Sequence, residues 1–147
     1  MRLFSKMLIA TDGSDGAKFA ATQGLALAKI LDAEVTALSV VDDGSYYGNR
    51  GLRRAAVANI PILQEVSEAA VEQIRAEGEK MGITVRTLVK SGVPAGEIIR
   101  ASGDYDLVVM GSLGLTGLAH FLTGSVAEKV VRFASCPVLV VRGKKDH

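Results

Sequence analysis

The chain has no tryptophan, a single cysteine (Cys136), and only 5 % aromatic residues among its 147. One thiol excludes an intrachain disulfide, which fits a reducing compartment. Charge of either sign is also lacking in excess: 17 Lys and Arg against 16 Asp and Glu leave a net +1. That is too little for broad attraction to nucleic acid or an anionic bilayer. No apolar run approaches the ~20 residues of a membrane span. The amino-terminal stretch is broken by Lys6 and has no small-residue cleavage site. Composition thus predicts a cytoplasmic chain with no membrane insertion and no nucleic-acid partner, forming a single domain over residues 1–147. A domain of this size buries roughly 70 % of its unfolded surface and needs no metal or disulfide staple.

What is present is Val, Ile, Leu, Ala and Gly, the make-up of a parallel sheet covered on both faces. Lys6 to Thr11 is a short apolar run closed by Asp12-Gly13-Ser14, with Ser14 available as a helix N-cap. Small and apolar residues then recur at helical spacing from Ala17 to Leu31. Val35 to Val41 reads as a buried strand ended by Asp42-Asp43-Gly44. Ser45 to Ala58, with two Tyr, several Gly and Arg50, Arg53 and Arg54, reads as a surface loop or lid. A second helix is predicted from about Asn59 to Met81, with Gly82 at its C-terminal cap. Ile83 to Val89 reads as the third strand, and Pro94 as an early position of a short helix. Asp106 to Met110, Ser125 to Phe133 and Pro137 to Val141 complete the strand–helix–strand series. The alternation predicts an α/β fold: an open five-stranded parallel sheet with helices on both faces. Ligands of such sheets lie beyond the carboxyl ends of the strands, where strand order reverses.

The segment with chemistry in it is Gly111-Ser112-Leu113-Gly114, nine residues, then Gly124-Ser125-Val126-Ala127-Glu128. Glycines let backbone N–H groups approach a phosphate without Cβ interference. Gly124-Ser125 opens a helix, whose first N–H groups lack intrahelical acceptors and whose dipole favours an anion. Simpler readings stand beside this one. Gly111 and Gly114 taken alone make a turn, Ser125 and Glu128 match the S-x-x-E capping box, and Asp12 alone is a turn residue.

Gly111-x2-Gly114-x9-Gly124-Ser125 resembles the ATP-binding motif of universal stress proteins. Lys6 to Ser14 is similar to that family's first strand and turn, Leu38 to Asp42 to its second strand end, and Gly124 to Val141 to its usual ending. The resemblance implies a Rossmann-like, adenine nucleotide alpha hydrolase-like sheet of strand order 3-2-1-4-5. It implies that Asp12, beside Ala10 and Thr11, hydrogen-bonds the adenosine, that Val40 packs against the adenine, and that Met110 walls the base. Gly111, Ser112 and Gly114 would bring backbone donors to ribose and phosphates, and Gly124, Ser125 and Val126 would hold the outer phosphates. ATP (or ADP or AMP) is the implied ligand, with Mg²⁺ or Mn²⁺ riding on the phosphates. A homodimer through the last strand, Pro137 to Val141, is also implied, along with a possible unidentified protein partner. Position 39 departs from the pattern: Ser39 stands where many members have histidine.

Two functions follow. One is a nucleotide-dependent regulatory module with little turnover; the alternative is a slow ATPase or phosphotransferase. No G-x4-G-K-[ST] loop delivers a lysine to the phosphates, and no general base is placed, so no catalytic residue is assigned. A phosphoacceptor receiver is excluded, because Val89-Lys90-Ser91 ends the third strand without an aspartate. HIGH-like and SGGxDS-like signatures are absent. Cys136 is expected to pack as a small hydrophobe. His120, the three arginines and residues 144–147 are expected to be solvated.

Overall fold

The computed structural model describes residues 3–45, 48–112 and 124–143. Gly114, His120 and the 144–147 tail, all weighed above, lie outside them. The five strands β1 (Lys6–Ala10), β2 (Glu34–Asp42), β3 (Val85–Gly92), β4 (Leu107–Gly111) and β5 (Val138–Val141) form one sheet in the order β3-β2-β1-β4-β5. Every pairing is parallel. The central strands are apolar without alternation because both faces are covered. Met7, Ile9, Val35, Val109 and their neighbours pack on one side with helices α1 (Asp15–Leu31) and α2 (Arg50–Lys80). Leu8, Leu38, Val108 and Met110 pack on the other with α3 (Pro94–Ala101) and α4 (Ser125–Phe133).

Local signals explain most of the boundaries. Ser14 caps α1, its hydroxyl accepting from the Ala17 N–H at 3.2 Å. Helix α2 ends with Gly82 at φ 77°. The Gly82 N–H donates to Glu79 and the Ile83 N–H to Gly78, at 3.0 and 2.8 Å, the paired bonds of a left-handed helix stop. Asp106 ties the amino ends of β1 and β4, accepting from the Lys6 N–H and the Ser5 hydroxyl. Those two bonds, Lys6 first, hold its carboxyl below the ordinary value.

Two expectations are corrected. The stretch from Ser45 to Ala58 is not a loop throughout: Asn49 caps Gly51 and Leu52, and α2 begins at Arg50. It runs straight on through Pro61. The sequence hid this because residues 50–58 bury only Ala56, and that in part, and so carry no core-facing pattern. The third strand runs Val85–Gly92 rather than Ile83 to Val89, because Gly82 and Ile83 are used in ending α2.

Candidate functional site

From β1 the sheet grows through β2 and β3 in one direction and through β4 and β5 in the other. Helix α1 leaves β1 towards one face and α4 follows β4 on the opposite face. The chain therefore diverges at the carboxyl ends of β1 and β4, leaving the crevice in which ligands of this architecture sit. Of the residues singled out in the sequence, Ala10 ends β1 and Met110 is the penultimate residue of β4; they share one apolar cluster with the partly buried Val40 and Val126. Ala10 and Met110 are 4 % and 5 % exposed, so what they present to a ligand is mainly backbone.

Beyond β1 the turn is tightly bonded. The Thr11 N–H donates to the Leu38 carbonyl at 2.9 Å. Thr11 Oγ1 accepts from the Gly13 N–H at 3.1 Å, and Asp12 Oδ1 accepts from the Ser14 N–H at 3.0 Å. Asp12 thus fixes the turn that starts α1. The Thr11 side chain lines a separate cleft between α1 and α2, about 150 Å³ in volume, with Lys18, Thr22, Gln73 and Glu77.

Beyond β4 the backbone is committed in a way the sequence did not foretell. The Ser112 N–H donates to the Val141 carbonyl at 3.0 Å, and the Ser112 carbonyl accepts from the Gly124 N–H at 2.5 Å. These bonds clamp the two ends of the glycine stretch together, so the Ser112 and Gly124 amides are engaged with the protein. The first turn of α4 carries the amides of Ser125 and Val126, which like all such groups have no acceptor within the helix. Gly111 has a second reason to be glycine: a Cβ there would stand 3.1 Å from the Gly16 carbonyl oxygen and 3.3 Å from the Ala17 nitrogen. The amino end of α1 rests directly on the end of β4. Gly114 lies outside the described residues.

The S-x-x-E capping box does not form. Gly124 is the cap residue and Ser125 is already inside the helix, so its hydroxyl is one position too late to cap. The Glu128 carboxylate instead pairs with Arg132 at 2.9 Å. Ser39 points away from the crevice and donates to the Ser67 hydroxyl of α2 at 2.9 Å, both side chains being buried. Burial, followed by the charge of Asp106, pushes the Cys136 thiol up, which suits packing rather than nucleophilic attack. Among the described residues no group of three or more His, Cys, Asp or Glu could hold a metal ion, and no helix is long and apolar enough to cross a membrane. Sequence reasoning missed the contribution of α2: the space beside the Gly13 α-carbon is closed by Val66 and Ala70. No spacing rule links residues so far apart in the chain.

Comparison with known proteins agrees with this architecture. Residues 3–142 match the model of the universal stress protein family. Universal stress protein MJ0531 of Methanocaldococcus jannaschii is 39 % identical over 147 residues, covering 99 % of this chain and 86 % of that protein. Universal stress protein YxiE of Bacillus subtilis is 31 % identical, covering 95 % of this chain and all of the other. Among solved structures, the universal stress protein UspA from Lactobacillus plantarum superposes with a TM-score of 0.83 at 27 % identity, covering 95 % and 99 % of the two chains. MJ0577 superposes at 0.81 with 31 % identity, covering 98 % and 99 %. More distant chains with the same fold include a universal stress protein in complex with cAMP and one from Arabidopsis thaliana with AMP bound, at 22 % and 19 % identity. The strand order, the Gly111-to-Ser125 spacing and a family match over nearly the whole length converge: this chain belongs to the universal stress protein family.

Proposed function

We propose that this protein binds an adenine nucleotide at the carboxyl ends of β1 and β4 and acts as a nucleotide-dependent module of the stress response in the cytoplasm. ATP is the favoured ligand, with ADP and AMP sharing its adenosine contacts. The observation that carries the reading is the first turn of α4, whose amides at Ser125 and Val126 open beside the end of β4 where strand order reverses. Ala10, Val40 and Met110 form the apolar floor nearby. The cAMP and AMP complexes of distant proteins support the capacity of the fold itself to seat such a ligand. A divalent cation, Mg²⁺ or Mn²⁺, would be held mainly by the phosphates.

Turnover is not part of this reading. The chain has no P-loop lysine, and no side chain is assigned as a general base. Purified protein with radiolabelled ATP tests this: release of many equivalents of phosphate per minute would favour the ATPase alternative. The edge strand β5, with exposed Leu139 and the exposed Val131 and Phe133 of α4, suits a two-fold dimer.

Asp12→Asn separates ligand binding from turn building. The amide oxygen still accepts from the Ser14 N–H, so the turn survives, but the charge that strengthens a hydrogen bond to a ribose hydroxyl is gone. Calorimetry should show ATP affinity reduced about tenfold with an unchanged melting curve. Undiminished affinity would remove Asp12 from the site, and no ATP binding by the wild type at millimolar concentration would remove the function.

A further inference from the structure

Helix α2 is longer than its place in the sheet requires. It joins strands of 9 and 8 residues yet has 31 of its own, about 46 Å at the usual rise. Its carboxyl half is seated through Ser67, Ala70, Val71, Ile74 and Gly78. Its amino half is seated more lightly: Ala56, Ile60, Leu63 and Gln64 are half-buried and no residue from Arg50 to Val66 is fully buried. Leu52, Val57 and Ile62 are 57 %, 52 % and 62 % exposed, with Ile62 on the side away from the sheet. A segment so lightly seated gains little from packing, and Gly51 and Pro61 weaken it further. Exposed apolar groups along it call for a cover.

Two features identify the cover. On the side opposite the buried residues, Ala55, Ala58, Ile62, Glu65 and Ala69 lie on a three-and-four spacing, the seam of a helix pair interrupted by one carboxylate. Charge along the same helix is segregated. Residues 50–64 hold Arg50, Arg53 and Arg54 and no acid, whereas residues 65–72 hold Glu65, Glu68 and Glu72 and no base. The first turn contains no acid, and the ion pairs among the described residues do not include the three arginines. At a helix amino end, cations are also disfavoured by the dipole. An antiparallel copy of the segment reverses the charge order, and it sets the arginines of each helix beside the glutamates of the other.

We propose that the overhanging half of α2 is a self-association surface, pairing antiparallel with a second copy of this chain about a two-fold axis near Ile62. Arg54 then lies on the same flank as the partner's Glu68, and the contact repeats by symmetry. The small residues of the seam let the helices approach closely. This interface is separate from the β5 edge and does not depend on nucleotide.

Disulfide trapping tests it on the full chain. In a Cys136→Ser background, Ile62→Cys should yield a covalent dimer under mild oxidation, far exceeding that from Arg86→Cys on exposed β3. Ile62 is mostly solvent-exposed, so the variant folds. Adding Arg54→Glu should lower the trapped fraction about tenfold, since two symmetry-related pairs are lost. Adding Glu68→Arg to that chain should restore it. Cross-linking no greater than the Arg86→Cys control, or indifferent to the charge reversal, overturns the pairing.

Discussion

Two serines join β2 to α2. The Ser39 and Ser67 hydroxyls satisfy each other at 2.9 Å in a region closed to solvent. Removing one leaves the other buried without a partner, whereas removing both leaves only a small apolar gap. Ser39→Ala and Ser67→Ala should each destabilise the protein by about 1–2 kcal/mol, and the double variant by much less than the sum, as read from urea titrations. Additive losses would mean that the pair is not mutually satisfied. The identity of residue 39 was plain in the sequence; its direction was not. Alternation along β2 puts position 39 on the α2 side of the sheet and Val40 on the α3–α4 side, so Ser39 belongs to the core junction while Val40 faces the site.

Among the elements, the β4–α1 contact matters most to the site. Gly111 was read from the sequence as an opening for phosphate, but its missing Cβ also accommodates the backbone of Gly16 and Ala17. Both neighbours are main-chain atoms in the first turn of a helix and cannot rotate away. Gly111→Ala should therefore push α1 off β4 by a few tenths of an ångström and cost about 1–3 kcal/mol by thermal or urea unfolding. A neutral substitution would mean that α1 yields without strain. Helix α2 shows the reverse relation between pattern and structure. From about Asn59 onward it was legible from the spacing of Leu63, Val66, Ala70 and Ile74, whereas its first two turns, Arg50 to Ala58, were read as a loop. Helical periodicity is a record of burial, and of residues 50–58 only Ala56 is even half-buried within this chain.

For the whole molecule, the sheet has two uncovered edges, β3 and β5. The β5 edge carries Leu139 at 40 % exposure, and Phe133 at the end of α4 is 61 % exposed. Leu139→Lys places like charges near the two-fold of the proposed β5 dimer while disturbing little of the monomer's interior. Light scattering should then show a lower average mass than wild type, with the difference shrinking in high salt. Unchanged mass would assign the dimer, if any, to another surface. Because α2 and β5 stand on opposite sides of the strand-order reversal, the two proposed contacts can be perturbed independently.

From the amino-acid sequence alone came the alternation of strands and helices, the turn at Asp12-Gly13-Ser14, the glycine stop at Gly82 and the spacing from Gly111 to Ser125. Each is a local matter of backbone freedom, capping or side-chain period. Only the tertiary structure decided which amides of the glycine stretch are engaged. The Ser112 N–H is drawn into a bond with Val141 and the Gly124 N–H into one with Ser112. It also decided that α2 starts at Arg50. Both depend on what lies across space from a residue, and hydrogen-bond partners and burial of that kind leave no period along the chain.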